Sequence, residues 1–312
     1  MLDGRAKIGS ILEQRLVSTS SPNLPPGIPL GKEVSYPKGY DASLLFPIAR
    51  LDARRTLDLQ SVMQAVKSSL SDLPFKGFDL WNAYEVSWLN SKGLPKVALL
   101  RLKVPCTSPN IIESKSFKLY LNSFNQTHFA TVHHVFDRLR QDLAHATGAE
   151  IDLELIGPDQ FSNEKIDEFS GINLDKLDIE IDCYEPKAEL LKLKQPATQD
   201  AEKVSVSERV FSRLLKSNCP VTDQPDWACL QIEYTGPAID HASLLQYIVS
   251  YRMHSGFHEH CVEKIFIDIM KQCKPQSLSI YARYTRRGGL DINPWRATPD
   301  AEPPFSGRSA RQ

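Results

Sequence analysis

A cysteine and an aspartate, Cys219 and Asp226, lie seven residues apart in a short polar stretch of the sequence. A thiolate attacks electron-poor carbon well, provided that neighbouring groups lower its pKa or protonate what it attacks. The later run Phe257-His258-Glu259 adds a second acid–base pair. These residue types predict covalent catalysis, with Cys219 as nucleophile and Asp226 as proton donor. The alternative is that Cys219 is a small buried filler of the core, a common place for a free cysteine.

A second chemically active run, Glu113-Ser114-Lys115-Ser116, falls between a predicted strand and a predicted helix. Backbone N–H groups are free at the start of a helix, so the lysine and the serines would suit a phosphate, and Glu113 could accept hydrogen bonds from a ligand. The alternative is that Glu113 caps the helix and the following residues form a solvated helical face. Both interpretations stay open on these residues alone.

A third run, Arg286-Arg287-Gly288-Gly289, follows a predicted strand. Arginine makes bidentate contacts with phosphate, and paired glycines let the backbone approach a ligand closely. A charged turn after an edge strand would have the same composition, so this interpretation also stays open. The sequence contains neither Gly-x-Gly-x-x-Gly nor a Walker loop, so a nucleotide would bind outside those frameworks.

Two histidines four residues apart, His254 and His258, have a spacing that could bind zinc on one face of a helix. However, Gly256 lies between them and interrupts the helix. The residues that follow do not complete the zinc-protease motif. We therefore expect no metal site.

The composition limits the classes of partner and the compartment. Among 312 residues, 37 are basic and 38 acidic, and the net charge of -1 argues against broad binding to nucleic acid or to an anionic membrane. The start has no signal peptide pattern, and no apolar run approaches the ~18 residues of a membrane span. The six cysteines form no Cys-x-x-Cys pair, which is typical of reduced thiols. We expect a cytoplasmic protein.

Hydrophobic periodicity predicts an α+β fold with two similar halves, in each of which two strands precede helices and further strands. An alternation of apolar and charged residues indicates a half-buried antiparallel strand over 176–184. The other predicted strands cover 78–90, 96–104, 150–156, 204–217, 227–234 and 277–285. The predicted helices cover 113–125, 128–146, 240–254 and 259–272.

The predicted organisation has five parts along the chain. They are an N-terminal arm over 1–45, a first module over 46–190, a linker over 191–204, a second module over 205–296 and a polar tail over 297–312. The linker is polar, and the tail is expected to be mobile.

Several of these motifs together resemble the long, two-module form of the 7-cyano-7-deazaguanine reductases, the NADPH-dependent nitrile reductases of queuosine biosynthesis. The resemblance implies two tandem tunnelling-fold modules, whose antiparallel sheets are backed by helices and join into a barrel-like assembly on oligomerisation. It also implies a homodimer. The motifs that carry the resemblance are YDASLLFP (40–47), DLWNAYE (79–85), ESKSFKLY (113–120), SNCPVTDQPDW (217–227), FHE (257–259) and RRGGLDINPW (286–295).

This resemblance implies a four-electron reduction of 7-cyano-7-deazaguanine to 7-aminomethyl-7-deazaguanine through a covalent thioimide on Cys219. It implies NADPH as co-substrate, used twice per turnover, a small-molecule substrate and no metal. The implied catalytic residues are Cys219, Asp226 and His258. The implied substrate-binding residues are Ile112, Glu113, Ser114, Phe257, His258 and Glu259. The implied NADPH-binding residues are Ser114, Lys115, Arg287 and Gly288.

Two other classes of function stay open. A zinc-dependent tunnelling-fold enzyme that acts on a pterin or purine-like ring would use clustered His and Cys ligands on a related scaffold. A non-enzymatic module that binds a deazapurine would leave Cys219 and Asp226 without a catalytic role. Stoichiometric zinc would favour the first class, and ligand affinity without turnover would favour the second.

Overall fold

The computed structural model describes residues 36–66, 73–195, 205–302, 304 and 307–312, so that most of the predicted arm and linker lie outside the described residues. Among the described residues, none of the helices has the length and apolar character that crossing a bilayer requires. The strands are β1 (Pro47–Ala49), β2 (Lys76–Leu89), β3 (Pro95–Pro105), β4 (Asn110–Ile112), β5 (Asp152–Ile156), β6 (Ile172–Asn173), β7 (Ser205–Asn218), β8 (Pro225–Pro237), β9 (Ser277–Tyr284) and β10 (Leu290–Ala297). The α-helices are α1 (Arg50–Arg54), α2 (Leu59–Val66), α3 (Ser114–Ser123), α4 (Val132–Thr147), α5 (His241–Ser250) and α6 (His258–Cys273).

Eight of these strands form one continuous sheet in the order β5-β3-β2-β10-β9-β8-β7-β6. Neighbouring strands are antiparallel except for β6 and β7, which run parallel. Strand β10 pairs with β2 along its whole length, from Leu290 opposite Ala83 to Ala297 opposite Lys76. Because β10 belongs to the second half and β2 to the first, this ladder joins the two halves. Strands β1 and β4 form a separate two-stranded ribbon.

The duplicated order of strands and helices is confirmed. The first half contains the long hairpin β2–β3, followed by β4, two helices and β5, and the second half contains the long hairpin β7–β8, followed by two helices and the strands β9 and β10. The first strand of each hairpin has a register shift, between Ala83 and Val86 in β2 and between Ser212 and Leu215 in β7. Such bulges increase the local twist of a strand and bend it. The two halves therefore share local geometry as well as topology.

Each half has its own apolar core between strands and helices. In the first half, Trp81 and Leu102 of the sheet pack with Phe117 of α3 and Leu139 of α4. In the second half, residues of β7, β8 and β9 pack with the buried faces of α5 and α6. The result is an α+β structure in which helices back antiparallel strands, as the sequence predicts.

The prediction of a strand over 176–184 is wrong. The segment has no regular secondary structure after Lys176, and it pairs with no strand among the described residues. Ile179, Ile181 and Cys183 are half-buried, whereas Leu177 and Tyr184 are exposed. Its backbone carbonyls bond elsewhere instead: Glu180 O accepts from Gln246 Nε2 of α5 at 3.2 Å, and Tyr184 O accepts from Met253 N–H at 3.0 Å. The alternation therefore reflects a partly buried face of the segment, without a ladder.

The interpretation of 286–295 as a charged turn after an edge strand is also wrong in part. Gly288 and Gly289 do lie in a turn, with φ of 59° and 80°. The residues that follow form β10, a central strand, and β9 is central as well. Pro294 argues against a central strand in the sequence because proline has no N–H for a ladder. Here β9 and β10 pair only at Trp295–Ala297, so Pro294 faces no strand partner on that side.

The predicted linker and tail contain packed residues. At the start of the linker Leu191 is buried, and Lys194 N–H donates to Ala238 O at 2.8 Å. In the tail, Thr298, Ser309 and Gln312 are buried. The expected mobility is therefore wrong for 307–312, which fold back against the sheet.

Candidate active site

A pocket lies where the two halves of the chain meet, and it gathers most of the residues singled out in the sequence. The first-half wall consists of Ile111, Ile112 and Ser114, at the junction of β4 and α3. The second-half wall consists of Cys219, Pro220, Asp226, Gly256, Phe257, His258, Glu259 and Arg287, with Ile292 of β10 beside them. Neither half alone supplies both walls.

Cys219 lies in the tight connection between β7 and β8, where backbone hydrogen bonds fix it. Its N–H donates to Gln224 O at 2.9 Å, and its carbonyl accepts from Asp223 N–H at 3.0 Å. The preceding residue, Asn218, donates its N–H to His254 O and accepts from Gly256 N–H. Cys219 lines the pocket although the residue is only 3% exposed. Burial thus agrees with the filler interpretation, whereas its position on the pocket wall agrees with the catalytic one.

Asp226 lies at the start of β8, and its carboxylate contacts two side chains that carry N–H groups. It stands opposite Ser217 across the β7–β8 hairpin, so that the hairpin closes the seven-residue separation between Cys219 and Asp226. Its Oδ1 is 3.0 Å from Arg287 Nε, and its Oδ2 is 3.3 Å from His258 Nε2. A buried carboxylate requires such partners, because burying an unpaired charge is costly.

His258 is the first residue of α6, and its imidazole is held from two sides. Its ring stacks on the ring of Tyr284, with 3.8 Å between centroids and 6° between planes. One nitrogen faces Asp226, and the other, Nδ1, has no hydrogen-bond partner among the described residues. The side chain is therefore oriented while one nitrogen stays available to a ligand or to water.

Glu259 follows in the first turn of α6 and is buried at 4% exposure. Its Oε1 has no hydrogen-bond partner in the described part of the chain, although the residue lines the pocket. Burial and the nearby carboxylate of Asp79 raise the pKa of Glu259 to about 7, against the opposing effects of Arg50 and His258. An unpartnered buried acceptor at a pocket wall fits a ligand that brings hydrogen-bond donors.

Glu113 caps α3, as the alternative interpretation of its motif predicts. Its carboxylate accepts from the N–H groups of Lys115 and Ser116, both at 2.8 Å. Burial raises the pKa of Glu113, and these two N–H groups oppose the shift. The residue itself does not line the pocket, whereas its neighbours Ile112 and Ser114 do. A direct contact between Glu113 and a substrate stays a prediction.

The residues predicted to hold NADPH come from both walls of the pocket and from their chain neighbours. Ser114 and Arg287 line it, whereas Lys115 and Gly288 are their chain neighbours outside the lining. Gly288 has a positive φ, and a Cβ there would come within 3.0 Å of Lys118 Nζ on α3. This turn therefore brings exposed backbone and cationic groups together, a donor set that suits phosphate oxygens.

Arg287 also has a role that the sequence does not predict. Besides its contact with Asp226, its Nη1 donates to Gln224 Oε1 at 2.7 Å. Its guanidinium is thus anchored both to the turn that contains Cys219 and to Asp226. A contact between Arg287 and a cofactor would have to use the N–H groups of the guanidinium that these two contacts leave over.

A larger cavity of about 490 Å³ opens next to the pocket, beyond Phe257 and Glu259. Its other wall is the β1–α1 region, including Ile48 and Arg50. Phe257 and Glu259 line both spaces, so the cavity and the pocket are neighbours. Among the described residues, no group of three or more His, Cys, Asp and Glu could hold a metal ion.

Two family models match the chain, one in each half. The model described as "Nitrile reductase, 7-cyano-7-deazaguanine-reductase N-term" matches residues 36–155, and the "QueF-like protein" model matches 225–303. A curated relative from Bordetella avium (strain 197N), named NADPH-dependent 7-cyano-7-deazaguanine reductase, is 54% identical over 284 residues. Those residues are 91% of this chain and 98% of the relative. The chain belongs to this reductase family.

Relatives of the same name in other organisms give a similar result. The 7-cyano-7-deazaguanine reductase of Bordetella pertussis (strain Tohama I) is 55% identical, and that of Paraburkholderia xenovorans (strain LB400) is 53% identical, with the same coverage of both chains. Among solved structures, the archaeosine synthase QueF-Like in the apo form matches with a TM-score of 0.27 and 15% identity, over 33% of this chain and 100% of that chain. The family predicted from the sequence motifs is confirmed.

Within this member of the 7-cyano-7-deazaguanine reductase family, the sequence missed two residues that shape the pocket. Tyr284 looks like an ordinary strand residue, and only the fold places its ring against His258. Arg50 forms a close ion pair with Asp79 and lines the cavity near Glu259. Both residues act through partners more than 25 positions away in the chain, and local motifs contain no such information.

Proposed function

We propose that this chain reduces the nitrile of 7-cyano-7-deazaguanine to the aminomethyl group of 7-aminomethyl-7-deazaguanine, with two NADPH per turnover, in tRNA queuosine biosynthesis. The observation that carries the proposal is the shared pocket of Cys219, Asp226 and His258. Membership of the reductase family supports the identity of the substrate and of NADPH.

The pocket suits the heterocycle of the substrate. The deazaguanine edge presents N–H donors, and the unpartnered Oε1 of Glu259 is a matching acceptor. Phe257, which borders both the pocket and the cavity, offers a ring face for stacking. We assign the remaining substrate contacts to Ile112, Glu113, Ser114 and His258.

The chemistry begins with addition of the Cys219 sulfur to the nitrile carbon. An S–C bond forms, one π bond of the nitrile breaks, and its nitrogen takes a proton, which gives the thioimide. Asp226 is the proposed donor, with His258 as relay, because their atoms lie 3.3 Å apart on the same wall. General acid catalysis of this kind contributes typically ~10²–10⁴ in rate.

Two reductions then complete the conversion, each adding one hydride and one proton, and the thiol leaves after the first. NADPH supplies the hydride when it is bound. We assign its binding to Ser114, Lys115, Arg287 and Gly288, whose positions beside the pocket suit its phosphates. Exclusion of water from the site would protect the imine that forms between the two reductions.

A coupled assay tests the proposal. Purified protein with 7-cyano-7-deazaguanine should oxidise two NADPH per nitrile, and mass spectrometry of the products should find the aminomethyl compound. The same activity after treatment with a chelator is expected. Activity that depends on stoichiometric zinc would support the pterin-type alternative, and tight binding of the nitrile without NADPH oxidation would support the binding-module alternative.

Replacing Asp226 with asparagine is expected to slow formation of the Cys219 adduct by about 10²–10⁴-fold, because the proposed proton donor is lost. Stopped-flow absorbance with the nitrile alone measures this step. Asp223→Asn is a matched control, because Asp223 is an exposed residue of the same turn with a φ of 53° that asparagine tolerates. Equal adduct rates in both variants would contradict the acid role.

Nitrile binding is expected to strengthen as the pH rises through 7. Only ionised Glu259 accepts two hydrogen bonds from the substrate edge, and burial raises its pKa to about 7. In a Cys219→Ala background, calorimetry should find roughly tenfold tighter binding at pH 8 than at pH 6. Adding Glu259→Gln should weaken binding and flatten this profile. An unchanged slope in the Gln variant would contradict the assignment.

We also propose the division into modules over 46–190 and 205–296, with the arm (1–45), linker (191–204) and tail (297–312) outside them, and a homodimer in the cytoplasm. Two separate family matches, one per half, support the division. Analytical ultracentrifugation of the purified protein tests the dimer, and a single species of about 35 kDa would contradict it.

A further inference from the structure

Tyr284, the last residue of β9, lacks a strand partner on one side. On the β8 side it stands opposite Ala228. On the β10 side the ladder ends at Tyr281 and Trp295, three residues earlier. An unpaired, buried backbone N–H and C=O would cost free energy at this point, so other groups must satisfy them.

Two side-chain amides take the place of the missing strand. The N–H of Tyr284 donates to Asn293 Oδ1 at 3.1 Å. Its carbonyl accepts from Gln312 Nε2 at 3.2 Å. The same Gln312 Nε2 donates to Asn293 Oδ1 at 2.7 Å, so that the two amides are joined. Gln312 therefore lies in the gap between the diverging strands.

The Gln312 carboxamide has one chemically consistent orientation. Its Nε2 faces two acceptors, the carbonyl of Tyr284 and Oδ1 of Asn293, whereas its Oε1 accepts from Ser309 N–H at 2.8 Å. Exchanging the two atoms would place acceptor against acceptor and donor against donor. The residue is 7% exposed. A buried amide with both of its ends paired is a specific, rigid contact.

The segment that carries Gln312 is held on the surface of the sheet. Asp167 N–H donates to Arg308 O at 2.8 Å, and Ala310 N–H donates to Glu168 Oε1 at 3.1 Å. Arg311 is exposed and donates from Nη1 to Arg213 O at 3.0 Å. The contacts of Arg308 and Ala310 hold the segment so that Gln312 lies in the gap. The contact of Arg311 is at the exposed surface of the same segment.

From this gap a short chain of contacts leads to the active site. The ring of Tyr284 lies parallel to the imidazole of His258 at 3.8 Å, and His258 faces Asp226. The position of the Tyr284 backbone determines where its ring lies, and that ring covers one face of the imidazole. Gln312 and His258 are thus linked through a single intervening residue.

We propose that Gln312 is a positioning residue for the nitrile reduction: its carboxamide replaces the β10 partner that Tyr284 lacks, and thereby holds the ring against which His258 is oriented. The inference rests on the proposed function for its catalytic consequence. Its structural part, the coupling of Gln312 to the His258 ring, is measurable without any substrate.

Gln312→Glu is the decisive variant because it keeps the size of the side chain and its acceptor for Ser309 N–H. It replaces the Nε2 donor by an oxygen that faces the Tyr284 carbonyl and Asn293 Oδ1. Arg311→Ala is the matched control, because it removes a contact of the same segment at the exposed surface. Tyr284→Leu removes the ring itself and serves as the reference for a lost stack.

The first measurement is NMR of histidine-labelled protein, with the His258 resonance assigned through His258→Asn. Stacking on Tyr284 shifts this resonance through the ring current. In Gln312→Glu the resonance is expected to move toward its position in Tyr284→Leu, whereas in Arg311→Ala it should stay in place. An unshifted resonance in Gln312→Glu, or equal shifts in Gln312→Glu and Arg311→Ala, would overturn the proposal.

The second measurement is steady-state kinetics. Gln312→Glu is expected to lower kcat by roughly 10–10²-fold, since a displaced catalytic group costs about that much, with KM for the nitrile within about twofold. Adding Gln312→Glu to Tyr284→Leu should produce no further loss, because both act through one ring. Additive losses would overturn the proposal. Absence of nitrile-dependent NADPH oxidation in the wild type would instead refute the proposed function, and the NMR result would still decide the coupling.

Discussion

Cys219→Ala is expected to lower turnover by at least about 10³-fold, because Cys219 supplies the only thiol among the described residues that line the pocket. Binding of the nitrile should persist, since the proposed acceptor Glu259 and the ring of Phe257 are unchanged. Alanine also fits the space, because Cys219 is small and lies in a turn fixed by backbone bonds.

Intact-protein mass spectrometry with 7-cyano-7-deazaguanine and no NADPH measures this effect directly. The wild type should gain one ligand mass and Cys219→Ala should gain none. Cys183→Ala is a suitable control, because Cys183 is a free and partly exposed cysteine outside the pocket. An adduct that survives in Cys219→Ala, or one that disappears in Cys183→Ala, would contradict the assignment of the nucleophile.

Arg296→Met is expected to lower the free energy of unfolding by about 3–5 kcal/mol, the usual cost of removing one partner from a buried ion pair. Arg296 of β10 is fully buried, and its guanidinium lies 2.8 Å from both Asp79 Oδ1 of β2 and Glu263 Oε1 of α6. Burial acts to raise the pKa of Glu263, but Arg296 and Arg54 outweigh it and hold that pKa at about 2. The loss of Arg296 would leave buried carboxylates only partly neutralised.

Urea unfolding followed by circular dichroism at pH 7 measures this loss. Arg209→Met is the matched control: Arg209 also pairs with a glutamate, Glu233 at 2.9 Å, but both side chains are exposed to solvent. Exposed pairs contribute about 0–1 kcal/mol, so this variant should stay close to the wild type. Similar losses in the two variants would contradict a special role for the buried network.

The sequence predicts strands and helices well where periodicity and turn residues agree. The β2–β3 hairpin follows from the aromatic and β-branched residues of its first strand and from Gly93 in its turn. Periodicity fails where it reports burial without pairing, as in 176–184, where the carbonyls bond to α5 and the turn after it. The sequence also does not predict β10, because Pro294 argues against a central strand. In the structure, Pro294 has no pairing partner on the β9 side. Both failures concern hydrogen-bond partners that lie far away in the chain.

The sequence predicts those parts of the site whose residues lie close together in the chain. Cys219 and Asp226 are near in sequence, and a hairpin is all that is needed to bring them together. The pairing of Arg287 with Asp226 and the stacking of Tyr284 on His258 depend on sheet order, which motifs do not encode. The cap formed by Glu113 was one of two open interpretations, and the geometry at α3 confirms it.

The ladder between β2 and β10 joins the two halves that carry the pocket walls into one continuous sheet. Because both walls belong to one chain, dilution of the protein cannot separate them. Their effective concentration is set by the fold. Two identical subunits related by a twofold axis must place the same side chain on both sides of their interface. Covalent fusion removes that constraint: one half can keep Ser114 beside a helix start while the other keeps Cys219 in a turn. A single polypeptide thereby obtains an asymmetric cleft from a symmetric architecture.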